Sequence, residues 1–101
     1  MPRPVKCRKV GTEPHIDYFK PAGVPLRNLK EVVLNVEELE ALKLKDLEGM
    51  NEIGAAKKMG ISQPTFNRLI NSAHKKVAEA LSIGYAIKIE GGIYKVTKSS
   101  N

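Results

Sequence analysis

Four side chains in the second half of the chain share one chemistry. Gln63, Asn67 and Asn71 recur every four residues, an interval that puts side chains on one side of a helix, and Arg68 adjoins them on its outer face. Carboxamides and a guanidinium are the groups that pair with base edges in a major groove. Gln or Asn fits adenine N6 and N7, and Arg fits guanine O6 and N7. Cations and hydroxyls that could hold phosphate oxygens surround them: Lys57, Lys58, Ser62, Thr65, Lys75 and Lys76. A second basic run, Arg3, Lys6, Arg8 and Lys9, opens the chain. These residues predict a surface that meets double-stranded DNA.

Such a set works only if two helices hold it rigidly. Asn51 is a natural N-cap for a short helix over 52–59, with Ile53, Ala55, Ala56 and Met59 expected to face inward. Gly60 breaks that helix and tolerates a positive φ. Ile61 follows as an apolar plug, and Ser62 caps a second helix over 63–81. Pro64 falls in its first turn, where the missing amide costs little. Phe66, Leu69, Ile70, Ala73, Val77, Ala80 and Leu81 form its predicted inner face. A small residue at the crossing (Ala56), a glycine four positions on and an apolar anchor after it describe a helix-turn-helix over 51–81.

The flanks read differently. Residues 1–30 hold five of the six prolines and are expected to form an extended basic arm, with a short strand over 15–19. Residues 31–84 form the helical core. Its first helix starts at Asn35, with Glu38 three positions later as in a capping box. Leu39, Ala41, Leu42, Leu44 and Leu47 are its predicted apolar face, Glu37, Glu38 and Glu40 a solvated one, and Gly49 its stop. Residues 32–34 suit a short strand. Residues 85–97 read as a β-hairpin turning at Gly91-Gly92, a candidate wing or dimer edge with Lys88 and Lys95. The fold class expected is therefore mainly α: a helix-turn-helix, an extended basic arm and a small hairpin.

Charge agrees. The net charge is +6 and the pI about 9.6, and the sign alternates: residues 1–30 carry seven basic and two acidic groups, residues 31–50 two and six, residues 51–81 five and two. Basic ends would face phosphates and release counterions, with the acidic segment turned away. No nucleophile–base pair, phosphate loop or metal-ligand spacing occurs, so no enzyme, cofactor, metal or small-molecule ligand is expected. Cys7 lacks a partner, and His15 with Asp17 lacks a third ligand. There is no secretory or membrane-spanning apolar run, so a cytoplasmic protein is expected. One module reads few base pairs, which makes a homodimer the natural DNA-binding form. The alternative is a protein-interaction module that contacts the transcription machinery through the acidic helix 36–48.

Several segments also resemble a known family. They are Met1-Pro2-Arg3-Pro4-Val5-Lys6-Cys7-Arg8-Lys9-Val10, Tyr18-Phe19-Lys20-Pro21-Ala22-Gly23-Val24-Pro25-Leu26, Leu39-Glu40-Ala41-Leu42, Asp46-Leu47-Glu48-Gly49, Ala55-Ala56, Met59-Gly60 and Ile89-Glu90-Gly91-Gly92. The chain is similar in these to an uncharacterised family of small prokaryotic proteins described as predicted DNA-binding proteins. The family's helix-turn-helix resembles that of sigma-factor region four. The resemblance covers the chain to about Tyr94 and implies a winged-helix-like or sigma-region-four-like all-α core; the function expected of the chain is that of a DNA-binding transcriptional regulator. Gly54 and the Gln63-Pro64 opening depart from the family's usual pattern.

Overall fold

Local signals set the helices of the structure, a computed structural model that describes residues 8–11, 17–92 and 94–96. Helix α1 (Val36–Leu42) begins with the full capping box. The Asn35 side chain accepts from the Glu38 amide at 2.9 Å and Glu38 Oε1 accepts from the Asn35 amide at 3.0 Å. It continues into a wider π turn (Lys43–Leu47) and stops at Gly49, φ 72°, where Met50 N donates to Leu44 O at 2.9 Å. Helix α2 (Glu52–Met59) is capped by Asn51 at 2.7 Å and ends at Gly60 in the left-handed region, φ 72°. Helix α3 (Gln63–Ile83) is capped by Ser62 and ends at Gly84, φ 91°.

Three strands make one sheet, in the order β2 (Tyr18–Phe19), β4 (Ala86–Ile89), β3 (Glu31–Leu34). Strand β4 is antiparallel to β2 and parallel to β3, with Val32 opposite Ile87. The whole helical unit is thus the crossover between β3 and β4. A second, two-stranded pair joins β1 (Arg8–Val10) in parallel to β5 (Tyr94–Val96).

This topology corrects the expected hairpin. Both edges of β4 are already filled by β2 and β3, so β5 cannot return alongside it. Gly91 and Gly92 have φ of 74° and 102°, but they carry the chain past the start of α1. The Gly91 carbonyl accepts from Val36 N at 3.1 Å, one of the amides a helix start leaves unpaired. A methyl on Gly92 would lie 2.9 Å from Glu37 Oε1 and 3.1 Å from Asn35 Cβ. The described part of residues 1–30 is likewise no free arm. Val10 is buried, and β2 is a sheet edge.

Two apolar clusters share Leu42. One lies beneath the helices: Ala41, Leu44, Ala55, Ala56, Met59, Phe66 and Ile70. The other ties α1 and α3 to the strands through Val10, Leu34, Val36, Ala73 and Ile89. Three apolar residues expected inside are exposed instead. Ile53 sits on the side of α2 opposite Ala55 and Met59. Leu47 falls short of the α1 face because an i→i+5 turn advances fewer degrees per residue. Leu81 lies where α3, roughly 31 Å long, outruns α2 at roughly 12 Å.

Candidate nucleic-acid interface

The candidate surface is assembled by the turn between α2 and α3. Ala56 is buried, and its carbonyl accepts from Gly60 N and from Ile61 N, the latter at 3.0 Å, which closes the turn tightly. Phe66, fully buried, fixes the start of α3 from below. At the helix start, Ser62 Oγ accepts from Thr65 N at 3.3 Å and donates to Thr65 Oγ1 at 2.9 Å. Thr65 Oγ1 also accepts from Arg68 Nη2 at 3.3 Å. The two hydroxyls expected at phosphates are therefore coupled to the guanidinium expected at a base.

Of the four candidate base-facing residues, Gln63, Arg68 and Asn71 are exposed on α3. Asn67 is not open to the same degree. It is half-buried, and with its amide nitrogen turned toward α2 it donates to both Glu52 oxygens, at 2.9 and 3.1 Å. Lys45 Nζ lies 3.7 Å from the same carboxylate.

Lys57, Lys58 and Lys75 are exposed as expected. Lys58 sits 4.0 Å from Glu48, at the limit of an ion pair. Among the described residues, Lys57, Arg68 and Lys75 have no carboxylate within that range. Lys9 joins the group from a distance in sequence. It is exposed on β1, and its stem crosses the turn, so that a methyl on Gly60 would lie 3.6 Å from Lys9 Cε. The alternation of the strand sends Val10 into the core and Lys9 outward. Arg3, Lys6, Cys7 and His15 lie outside the described residues, and Arg8 is placed in β1 by its backbone.

Two expectations fail here for one reason. Lys76 does not face outward: its Nζ donates to Glu38 Oε1 at 2.7 Å, and Ser72 Oγ donates to Glu38 Oε2. Glu37, Glu38 and Glu40 are not a solvated face, because all three are buried, at 6%, 2% and 5% exposure. The alternative docking surface on helix 36–48 therefore loses the carboxylates it needed. The acidic run fills positions against α3, Gly11 and Gly92 instead. His74 is half-exposed and lies 2.6 Å from Asp46 Oδ2. Sequence reading missed these partners because they lie far apart in the chain: Glu52 and Asn67, Glu38 and Lys76, Asp46 and His74. A charged residue flanking an apolar face was the only available signal.

No helix among the described residues is long and apolar enough to cross a membrane. A family model described as "Protein of unknown function DUF134" matches residues 1–97. The chain is 58% identical over 96 residues to a UPF0251 protein of Thermoanaerobacter pseudethanolicus, covering 95% of this chain and 81% of that one. A UPF0251 protein of Moorella thermoacetica is 60% identical over 94 residues, covering 93% of this chain and 63% of its own length. One of Dehalococcoides mccartyi is 52% identical over 96 residues, with 95% and 82% covered. No solved structure matches.

Proposed function

The chain belongs to this family of small bacterial proteins, and from that premise and the surface above we propose that it is a DNA-binding transcriptional regulator. The unit α2–turn–α3 acts as a helix-turn-helix of sigma-region-four type, and the outer side of α3 enters the major groove of a duplex. The observation that carries the reading is the turn itself. Buried Ala56, left-handed Gly60 and the cap Ser62 present Arg68, Asn71 and Lys75 on one exposed side of α3, with Lys57 and Lys58 exposed on α2 and Lys9 beside the turn. Cations flanking a polar helix face are what a phosphate-bounded groove requires. A homodimer is the form proposed to bind, since a single module covers few base pairs.

Fluorescence anisotropy with a labelled duplex at several salt concentrations tests the reading. If Lys9, Lys57, Lys58 and Lys75 each neutralise a phosphate, log Kobs falls against log salt with a slope of about −3.6 per protomer. Charge removal at Lys57 and Lys75 together flattens that slope by about 2. No binding at low salt refutes the proposal.

A further inference from the structure

We propose that Arg68 and Asn71 set the sequence preference of this site, as guanine and adenine readers, and that Asn67 is a positioning residue that reads nothing. The inference deepens the duplex-binding reading and rests on it.

Asn67 has lost the geometry a base requires. Pairing with adenine takes one amide N–H for N7 and the carbonyl oxygen for N6. The Asn67 amide nitrogen is turned to the Glu52 carboxylate, 2.9 and 3.1 Å from its two oxygens, and Glu52 is itself tethered near Lys45, so the carboxamide is held against α2 instead of being presented to a base. Releasing Asn67 would leave a half-buried carboxylate short of a donor, so the side chain stays as a strap between α2 and α3.

Arg68 is arranged oppositely. One of its five N–H groups goes to Thr65 Oγ1, whose position is fixed by Ser62. That contact draws the guanidinium toward the N-terminal end of α3, the end a recognition helix inserts, and leaves four donors for the O6 and N7 fork of guanine. Asn71 is exposed and makes no side-chain hydrogen bond among the described residues, so its donor and acceptor are both open. At roughly 100° per residue, Arg68, Asn71 and Lys75 fall within about 60° of one another, whereas Gln63 points about 140° away from Arg68. Arg68 and Asn71 are about 4.5 Å apart along the axis, against a rise of about 3.4 Å per base pair. The target is therefore a duplex in which a guanine lies within one or two steps of an adenine.

Selection from a random-sequence duplex library, run with the full chain and its variants, tests this. The unaltered chain is expected to enrich guanine and adenine at that separation. Arg68→Ala should erase the guanine preference alone, reducing discrimination there by about 5- to 150-fold, and Asn71→Ala the adenine preference. Asn67→Ala should keep the motif and lower thermal stability. Glu52→Gln, which retains one acceptor and a milder perturbation, should keep the motif too. A base position relaxed by Asn67→Ala or Glu52→Gln overturns the inference, as does a motif untouched by Arg68→Ala and Asn71→Ala. Tight binding without any enriched motif overturns it and leaves duplex binding standing. No duplex binding at low salt overturns both.

Discussion

Removing the Glu38 carboxylate should cost the fold about 3 kcal/mol, far more than a surface charge is worth. Glu38 is 2% exposed and serves three donors from two helices: the Asn35 amide at 3.0 Å, the Ser72 hydroxyl and the Lys76 ammonium at 2.7 Å. In Glu38→Ala, half of the capping box goes, worth about 1 kcal/mol. Ser72 loses a charge-assisted bond in a part-buried position, again about 1 kcal/mol. Lys76 loses its counterion, but its side chain is 32% exposed, so water takes up part of the loss and about 1 kcal/mol remains. For a chain of this size the total corresponds to a fall in Tm of roughly 12–24 °C. Glu38→Gln keeps an oxygen for the Asn35 amide and should lose about half as much. Urea unfolding of Glu38→Ala, Lys76→Met and the double variant gives the coupling between the two residues. Methionine is chosen to keep the packing of the lysine stem. A loss below about 1 kcal/mol in Glu38→Ala, or no coupling in the cycle, would refute the argument, since Glu38 would then behave as an ordinary surface acid.

Other outcomes follow from single contacts. Gly60→Ala meets only the Lys9 stem at 3.6 Å, so its cost is that of a left-handed alanine, about 1–2 kcal/mol by urea denaturation. Gly92→Ala should cost more than Gly60→Ala, because its φ is 102° against 72° and it adds approaches of 2.9 Å to Glu37 Oε1 and 3.1 Å to Asn35 Cβ. Reversal of that order would show that the loop after β4 moves freely. Leu47→Gln and Leu81→Gln, at 80% and 77% exposure, should each shift the urea midpoint by no more than about 0.5 kcal/mol of stability. The Lys88 ammonium is held above the ordinary lysine range, chiefly by its side-chain hydrogen bond to Glu90 and then by Tyr18. A raised folded pKa means that the pair's contribution is complete below the unfolded lysine value and is lost only as pH climbs through the folded one. Stability from this pair should therefore be flat between pH 5 and 9, and NMR titration of Lys88 in Glu90→Gln should move back toward the ordinary value.

The helices were legible because each is bounded by its own residues. Asn35, Asn51 and Ser62 cap three starts, and Gly49, Gly60 and Gly84 close three ends with positive φ. A cap needs partners only three residues away, so a sequence window contains the whole signal. The inner line of α3 was legible for the same reason, except at Leu81, where burial depends on how far neighbouring helices reach. Burial of Glu38 was illegible from its own helix, because Ser72 and Lys76 are 34 and 38 positions away.

The strands failed as a hairpin because pairing is a contest among all edges, and local β-propensity names no winner. Gly91-Gly92 between two β-branched runs is a sound hairpin signal, yet β4 is claimed first by β3 and β2. Once β4 is central, the chain must leave the sheet after Ile89, and the two glycines place it over Asn35, Val36 and Glu37. The same exit lets β5 pair with β1, which sets Lys9 beside Gly60 and buries Val10. Lys9 and the segment around Gly91-Gly92, far apart in sequence, are thus two ends of one device. A disruption at Gly92 should weaken duplex binding through the placement of Lys9, although no residue of that loop lies on the outer side of α3. Anisotropy at a temperature where Gly92→Ala is fully folded tests this: an affinity and salt slope equal to those of the unaltered chain would sever the link between the two ends.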